Sequence, residues 1–300
     1  MKIAVMGAGS VGCYYGAMLA RGGHDVTLIG RATHVDAIRR DGLRFESAFF
    51  KGHIAMNATT TPDGVGGADV ILLCVKSADT ESAARDIAPF IAPSSTILCL
   101  QNGVGNAERF KAAIGHPAIP AVVYVATALA GPGHLKHNGR GELIIGPSAA
   151  SERIAQTFTQ AAVPTKVSER VDEALWAKLI TNCAYNALSA VGDIAYGPML
   201  TIDGVRDLMS VVIGECIAVA RACGIATPAG LHDGILTLAA SMPDQTSSTA
   251  QDLRRGKPTE IDFLNGYIVA KGREHGIATP ANLALQVAVK LREAHSRNDT

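Results

Sequence analysis

The sequence has no excess of charge of either sign and no long hydrophobic run. Lysine and arginine together number 27, and aspartate and glutamate also number 27, so the formal net charge is zero. A chain without a broad basic surface is not expected to bind nucleic acid as its main partner. The strongly apolar run Val70–Val75 is too short to cross a bilayer. The sequence therefore predicts neither a nucleic-acid partner nor a membrane anchor.

Disulfide, metal-binding and targeting patterns are also missing. The six cysteines form no Cys-x-x-Cys pair, and several stand in apolar runs, which predicts small buried side chains in a reducing compartment. His134 and His137 flank Lys136 without further ligands at metal-binding spacing, so no zinc or other metal site is expected. The first residues do not resemble a signal peptide. We therefore expect a soluble, cytoplasmic protein.

The order of strand and helix patterns predicts two domains. The chain has 300 residues, of which 48% are apolar, enough for two ordinary cores. In the first half, strands alternate with helices, which is typical of a parallel sheet. From Val171 onward only helical patterns follow, and the polar stretch 244–251 is predicted to be a loop. We predict an α/β protein: a Rossmann-type doubly wound parallel sheet in residues 1–167 and an all-helical domain in residues 168–300.

The most informative segment is Gly7-Ala8-Gly9-Ser10-Val11-Gly12. It follows the apolar strand Ile3–Met6 and leads into a helix, which is the context that a dinucleotide-binding turn requires. The three glycines of such a turn form a tight bend, admit a pyrophosphate and allow close helix–strand packing. The helix N-terminus then favours bound phosphate. We predict that these six residues bind a dinucleotide; the alternative is a glycine-rich turn without a ligand.

The end of the second strand indicates which dinucleotide is bound. Arg31 follows the strand 25–30, and no carboxylate appears until Asp36. A site for NAD usually has an acidic residue here, to accept a hydrogen bond from the ribose 2′-hydroxyl group. A guanidinium instead pairs with a phosphate through two parallel hydrogen bonds. The sequence therefore predicts NADP(H), with an ordinary surface arginine as the alternative.

A polar stripe occurs in an otherwise apolar helix pattern of the second half. Lys178, Asn182 and Asn186 recur every four residues and therefore share one helix face. If that face lines a cleft, the lysine could polarise a carbonyl group and donate a proton, and the asparagines could hold a carboxylate or a hydroxyl group. An exposed polar stripe on an amphipathic helix is the alternative, and the spacing alone does not decide between them.

Several motifs, taken in order, resemble the ketopantoate reductase (2-dehydropantoate 2-reductase) family over essentially the whole chain. They are the glycine turn with Arg31, Cys74-Val75-Lys76-Ser77, Gln101-Asn102-Gly103-Val104-Gly105, Trp176…Lys178…Asn182…Asn186, Ser247–Asp252 and Thr259-Glu260-Ile261-Asp262. The resemblance implies NADPH-dependent reduction of 2-dehydropantoate, a small 2-oxo acid, to (R)-pantoate on the route to pantothenate and coenzyme A.

The resemblance also implies roles for individual residues. Lys178 would be the catalytic general acid for the carbonyl oxygen at C2, and Asn102 would lie near both nicotinamide and substrate. Lys76 and Glu260 would lie on the cofactor side. The substrate would be bound by Asn102, Lys178, Asn182, Asn186 and Ser248. Without the resemblance, four of these positions also have an ordinary structural alternative: a solvated strand end for Lys76, turn geometry for Asn102, plain loop for Ser248, and the first turn of a helix for Glu260.

One segment departs from the family pattern. The family often has an asparagine in the loop after the catalytic helix, where this chain has Gly192–Gly197, with Asp193 and Tyr196 but no asparagine. An acidic side chain would repel a carboxylate substrate unless it points away. A reductase of another 2-oxo acid is therefore an alternative. An NADPH-binding regulatory protein without turnover is a second alternative, although the presence of both Lys178 and Glu260 argues against it.

The sequence does not fix the oligomeric state. The apolar helix predicted over 208–222 could pack within its own domain or across a homodimer.

Overall fold

The structure is a computed structural model that describes residues 1–298. The chain forms two compact units, Met1–Val171 and the residues from Asp172 onward. The strands of the first unit are β1 (Lys2–Met6), β2 (Asp25–Ile29), β3 (Leu43–Glu46), β4 (Lys51–Ile54), β5 (Asn57–Thr59), β6 (Val70–Leu73), β7 (Thr96–Cys99), β8 (Ala118–Gly131), β9 (His134–Ile145) and β10 (Thr165–Val167). Its α-helices are α1 (Ser10–Arg21), α2 (Ala32–Asp41), α3 (Thr80–Ile87), α4 (Asn106–Ile114) and α5 (Ser151–Gln160).

The ten strands form one sheet in the order β4-β3-β9-β8-β7-β6-β1-β2-β5, with β10 paired to β9. Strands β2, β1, β6, β7 and β8 are parallel neighbours, as the prediction of a Rossmann-type sheet requires. Two hairpins, β3–β4 and β8–β9, add antiparallel pairs. The predicted fold class is confirmed, with the addition that the complete sheet is mixed and mostly parallel.

The central strands are buried on both faces. In β6, Val70 and Leu72 pack into one hydrophobic cluster, whereas Ile71 and Leu73 pack into another. Successive side chains of a strand point to opposite faces, so the two clusters lie on the two sides of the sheet. This double burial explains why these strands have continuous apolar sequences rather than alternating ones.

The hairpin β8–β9 is longer than the sequence predicts. The sequence pattern predicts strands only over 118–126 and 142–145, but the ladder extends to the turn at Gly131–His134. Glycines and polar residues interrupt the apolar pattern of β9, and three register shifts interrupt its pairing with β8. Such bulges hide the period-2 alternation from sequence analysis. Helix α5 and the three-residue strands β5 and β10 are also absent from the sequence prediction.

The second unit is helical. Its α-helices are α6 (Val171–Gly192), α7 (Tyr196–Met199), α8 (Val205–Ala222), α9 (Leu231–Thr237), α10 (Ser248–Arg254), α11 (Asn265–Glu274) and α12 (Pro280–Asn298). No strand occurs between Asp172 and residue 298, which agrees with the predicted all-helical character. Within residues 1–298, no helix is long and apolar enough to span a membrane.

Two local predictions in this unit are wrong, and a third, on the end of the chain, stays a prediction. The stretch 244–251 is not entirely loop, because α10 begins at Ser248 behind an N-terminal cap from the Ser247 side chain. The helix expected from Glu260 starts as a 3-10 turn, Ile261–Phe263, before α11. Fraying is expected from His295, but α12 continues to Asn298, and residues 299–300 lie outside the described residues.

Buried side chains hold the helices of the second unit together. Helix α8 buries Met209, Val212 and Ile213, among others, within the single chain, so its apolar face packs inside its own unit. Glu215 accepts hydrogen bonds from the Ala281 and Asn282 amides at the start of α12. These bonds satisfy amides that a helix N-terminus leaves without intrahelical partners.

Candidate functional site

The predicted cofactor residues follow the ends of neighbouring parallel strands. Gly7–Gly12 follow β1, Arg31 follows β2, Lys76 follows β6 and Asn102 follows β7. Because the carboxyl ends of parallel strands meet at one edge of a sheet, these four segments share that edge. The chain places β2 on one side of β1 and β6 on the other. Open α/β sheets bind ligands at the carboxyl ends of the strands, at the point where the strand order reverses in this way.

The glycine turn has the space and the donors that a pyrophosphate needs. A Cβ on Gly7 would lie 2.6 Å from the carbonyl carbon of Cys74, and one on Gly12 would lie 2.2 Å from the Gly7 oxygen. Gly9, by contrast, has no atom within 4 Å of an added Cβ. Helix α1 has no side-chain cap and no acidic residue in its first turn. Its first amides therefore fit an anion placed over the open position at Gly9.

Arg31 stands where a second helix begins. It is the exposed N-cap residue of α2, and the first turn of α2 contains no acidic residue. Position 30 has no room for a side chain, because a Cβ added to Gly30 would lie 2.6 Å from the Cβ of Ala8 in the glycine turn. The glycine turn and Arg31 are thus held close together, and the helix dipole of α2 adds positive potential beside the guanidinium.

A buried polar network holds the loop that carries Asn102. The carbonyl oxygen of Asn102 accepts hydrogen bonds from Ser77 Oγ at 2.9 Å and from Asn106 Nδ2 at 3.0 Å. Thr80 Oγ1 donates to Asn106 Oδ1 and accepts from Gln101 Nε2 at 2.7 Å. The network fixes the backbone of residues 101–102 against α3 and α4. The turn at Asn102 is therefore shaped by defined contacts and not only by turn propensity.

The network adjoins an ion pair between Arg109 and Glu81. Arg109 donates two hydrogen bonds to the carboxylate of Glu81, at 2.7 and 2.6 Å, and a third to Asn106. The guanidinium holds the pKa of Glu81 below its ordinary value. The pair clamps α3 to α4 behind the loop.

Helix α6 carries the polar stripe in the second unit. Lys178 and Asn182 are half-buried, whereas Asn186 is only 3% exposed. The stripe therefore does not correspond to the solvated face of a surface helix, since such a face would leave all three side chains exposed. The neighbours Leu179, Ile180 and Cys183 are buried in the core of the unit.

The N-terminus of α10 meets this stripe. Asn186 Nδ2 lies 3.4 Å from Ser248 Oγ, and Ser247 Oγ donates to the Asn186 carbonyl oxygen at 3.1 Å. Ser189 Oγ accepts from the Ser247 amide and donates to the Ile194 carbonyl oxygen. Asn186 and Ser248, two predicted substrate-binding residues, are thus brought together.

Asp193 is paired with a cation rather than facing the site alone. Arg254 Nε donates to Asp193 Oδ1 at 2.6 Å, and the guanidinium also contacts the Asp193 carbonyl oxygen at 3.4 Å. The pairing offsets the negative charge that would otherwise repel a carboxylate substrate. The ring of Tyr196 is buried against Tyr185, with ring centroids 4.6 Å apart.

Glu260 is half-buried in the turn that precedes Ile261–Phe263, where its carbonyl oxygen accepts from the Phe263 amide. Its position is therefore at a 3-10 turn and not in the first turn of α11.

The thiols are poor nucleophiles. Burial raises the pKa of Cys13 and of Cys99 to about 12, and it also raises the pKa of Cys74 and of Cys183 well above the ordinary value. These side chains are protonated at neutral pH and pack as small apolar groups. All six cysteines are free thiols. Across residues 1–298, no group of three or more His, Cys, Asp or Glu residues could hold a metal ion.

Comparison with known proteins identifies the family. Residues 3–150 match the family model described as ketopantoate reductase PanE/ApbA, and residues 170–293 match the C-terminal model of the same family. The chain is also 33% identical, over 98% of both chains, to 2-dehydropantoate 2-reductase of Pyrococcus horikoshii. The chain belongs to the ketopantoate reductase family.

Solved structures of ketopantoate reductase relatives superpose along the full chain. The crystal structure of a PanE/ApbA family ketopantoate reductase from Ralstonia eutropha JMP134 is 50% identical, with a TM-score of 0.97 over 99% of this chain and 100% of that one. A D-mandelate dehydrogenase in complex with NADH is 25% identical, with a TM-score of 0.89 over 98% and 99% of the two chains. The chain is thus an oxidoreductase of a family that binds NAD(P)H.

Sequence reasoning missed the residues that support the site in this ketopantoate reductase family member. Thr80 and Asn106 shape the Asn102 loop, Ser189 holds Ser247, and Arg254 pairs with Asp193. No local pattern marks them, since each also makes a hydrogen bond with a residue that is 26 to 61 positions away in sequence.

Proposed function

We propose that the chain reduces 2-dehydropantoate (ketopantoate) to (R)-pantoate with NADPH. The observation that carries the proposal is the full-length similarity to a protein named 2-dehydropantoate 2-reductase. The residues that this chemistry needs are present in both units. We assign most of the cofactor binding to residues 1–167, and proton transfer and most of the substrate binding to residues 168–300.

We assign the cofactor to the edge of the sheet where four strand ends meet. Gly7, Ala8, Gly9, Ser10, Val11 and Gly12 would hold the pyrophosphate. Lys76, Asn102 and Glu260 would contact the rest of the cofactor. When bound, the reduced nicotinamide supplies a hydride.

The preference for NADPH over NADH is assigned to Arg31. Its guanidinium would pair with the 2′-phosphate, and the N-terminus of α2 adds favourable potential at the same place. No acidic side chain in the first turn of α2 competes for the guanidinium or accepts from a ribose 2′-hydroxyl group.

The catalytic acid in this proposal is Lys178. Its ammonium group would stabilise the negative charge that develops on the C2 oxygen of the substrate and then donate a proton to it. Asn182, Asn186 and Ser248, together with Asn102, would orient the carboxylate and hydroxyl ends of the substrate. The 3% exposure of Asn186 and its hydrogen-bond distance to Ser248 support a preorganised pair of polar groups.

A second candidate is the reduction of another 2-oxo acid. The similarity to a D-mandelate dehydrogenase bound to NADH favours it, because mandelate is also a 2-hydroxy acid. The two candidates use the same proton donor and differ in the side chain of the substrate and in the cofactor.

The deciding experiment measures kcat/KM for ketopantoate, 2-oxoisovalerate and phenylglyoxylate, each with NADPH and with NADH, from the loss of absorbance at 340 nm. The proposal expects ketopantoate with NADPH to exceed every other pair by tenfold or more. A higher kcat/KM for phenylglyoxylate would support the second candidate. Tight binding of NADPH without turnover of any 2-oxo acid would instead support a regulatory protein.

We also propose a cytoplasmic location, which the six free thiols support. For the oligomeric state we propose a homodimer, to be tested by light scattering of the purified chain. The apolar face of α8 is buried inside its own unit. If α8 contacts a partner subunit, it therefore does so through exposed side chains such as Val211, which is 53% exposed.

A further inference from the structure

A depression in the first unit lies apart from the predicted cofactor residues. It has a volume of 410 Å³ and is lined in part by Tyr14, Met18 and Arg21, which share one face of α1. Arg21 ends α1, whereas the glycine turn precedes its first residue, Ser10. Twelve helical residues span about 18 Å, so the far end of the depression is about that distance from the turn.

Two walls of the depression have unusual backbone conformations. Residues 139–141 of β9 all have positive φ, with Arg140 at 61°. Ala162, which also lines the depression, has φ of 60° two residues after α5 ends. Two of the three non-glycine residues with positive φ in residues 1–298 thus line this one depression. Such conformations are unfavourable for residues with a Cβ and concentrate at functional sites.

Because residue 141 is a glycine, the Tyr14 ring can pack directly against the backbone of β9. A Cβ on Gly141 would lie 2.1 Å from the Tyr14 hydroxyl oxygen. Burial, with a smaller contribution from Glu142, raises the pKa of Tyr14 to about 12, so its hydroxyl group keeps its proton and donates to the Arg140 carbonyl oxygen at 3.4 Å. The ring of His137 stacks on Tyr14 with centroids 4.5 Å apart.

An exposed aromatic side chain is held over the depression. Phe49 is 55% exposed, although it lies in a tight turn between β3 and β4. Ser47 Oγ accepts from the Phe49 and Phe50 amides and donates to the Phe50 carbonyl oxygen. The turn therefore presents the Phe49 ring in a fixed position rather than on a loose loop. An ordered, exposed phenyl ring beside a depression is typical of a binding surface.

The charges at the rim favour an anion. Arg140 pairs with Glu142 at 3.3 Å. Arg21 contacts the Phe50 ring at 4.3 Å and the Met18 sulfur, and it makes no ion pair with any residue in the described part of the chain. One guanidinium at the rim is thus without a carboxylate partner, next to an apolar floor.

We propose that this depression binds a small planar anion, whose ring would lie against Phe49 and Met18 and whose anionic group would pair with Arg21. A carboxylate or a phosphate would serve equally, because a guanidinium donates two parallel hydrogen bonds to either. The site is separate from the one assigned to the dinucleotide.

The test is a ligand-observed NMR titration of the full chain, saturated with the nicotinamide dinucleotide that it binds. The probes are 2-naphthoate, its uncharged amide 2-naphthamide and adenosine monophosphate. We expect 2-naphthoate to bind with Kd on the order of 0.1–1 mM, the range for a ligand of this size. Comparison of 2-naphthoate with adenosine monophosphate distinguishes a carboxylate from a phosphate ligand.

Two variants locate the binding. Arg21→Met should weaken 2-naphthoate or adenosine monophosphate about tenfold and leave 2-naphthamide within about twofold. Phe49→Ala should weaken the naphthyl probes about threefold or more. Arg153→Met, at an exposed arginine of α5, is the matched control and should change nothing. The proposal is overturned if neither anion binds to the dinucleotide-saturated chain, or if neither Arg21→Met nor Phe49→Ala weakens the binding.

Discussion

The two units place their predicted site residues by different means. In the first unit, regular geometry brings the segments together, because four parallel strands end at one edge and the residues that follow each end lie there; a buried network then fixes the Asn102 loop. In the second unit, one long helix carries three residues of the stripe, and short segments 58 to 62 residues away along the chain hold its far end. The parallel strand order alone therefore places the glycine turn and Arg31, whereas the Asn102 loop and the far end of the α6 stripe depend on individual long-range hydrogen bonds. Substitutions in the two units should therefore differ in what they change.

The largest effect is expected at Lys178. Replacing it with alanine should lower kcat for ketopantoate by about 10²–10⁴-fold, the usual contribution of a general acid. NADPH affinity, which we assign to the first unit, should change less than about threefold. Lys271→Ala, at another lysine of the second unit, is the control. Near-normal turnover of the Lys178 variant would assign the proton donor to another residue.

Substitutions at two glycines of the same turn should have different effects, one on the stability of the fold and the other on NADPH affinity. Gly12→Ala would place a Cβ 2.2 Å from a backbone oxygen, and it should cost about 3 kcal/mol and lower Tm by about 6–12 °C. Gly9→Ala meets no atom within 4 Å, so its Tm should be unchanged. A methyl group at Gly9 would instead occupy the space assigned to the pyrophosphate, and NADPH affinity should fall tenfold or more. Calorimetry and cofactor titration measure both. Unchanged NADPH affinity in Gly9→Ala would remove the assignment of that space.

A single arginine should decide cofactor preference. Arg31→Ala should weaken NADPH binding by about 10–100-fold, the value of charge-assisted hydrogen bonds to a phosphate, and NADH binding by less than about threefold. Arg153→Ala in the same unit should affect neither. Equal losses for both cofactors would contradict the contact with the 2′-phosphate.

The contrast between the units also explains what sequence analysis could predict. Local sequence patterns mark the glycine turn and the buried strands. Once the strands are parallel, their carboxyl ends meet at one edge, and no long-range contact has to be predicted. Strand β6 is four consecutive buried apolar residues, and the strand that the sequence predicts over 69–75 extends one residue beyond it at the start and two at the end. The α6 stripe is equally visible because its spacing of four is helical.

Elements that depend on distant partners are missed. The Ser247 cap and α10 lie in a polar stretch whose composition favours a loop, but hydrogen bonds with distant residues, among them Ser189 and Asn186, hold it in place. The β9 bulges put glycines and an arginine where an apolar alternation would mark a strand. In both cases tertiary contacts override the local pattern, and a single sequence does not display them.

The cap of α10 should show this dependence directly. Ser247→Ala removes the cap to the Ala250 amide and the bond to the Asn186 carbonyl oxygen, so it should cost about 2 kcal/mol. If Asn186 and Ser248 bind substrate, KM for ketopantoate should also rise while NADPH affinity stays constant. Ser241→Ala, which removes one exposed hydroxyl group, should cost less than about 0.5 kcal/mol. A stability loss without any change in KM would show that the cap supports the fold alone.

The smallest effects are expected at Asp193, whose ion pair with Arg254 has side chains 47% and 45% exposed. Solvent screens such a pair, so Asp193→Asn should change the free energy of unfolding by less than about 1 kcal/mol. Asparagine also tolerates the positive φ of 50° at this position, whereas alanine does not. Asp193→Ala should therefore cost about 1 kcal/mol more than Asp193→Asn in urea unfolding. Because Arg254 already offsets the carboxylate, Asp193→Asn should alter kcat/KM for ketopantoate less than about threefold. A gain of tenfold would mean that the carboxylate repels the substrate despite its partner.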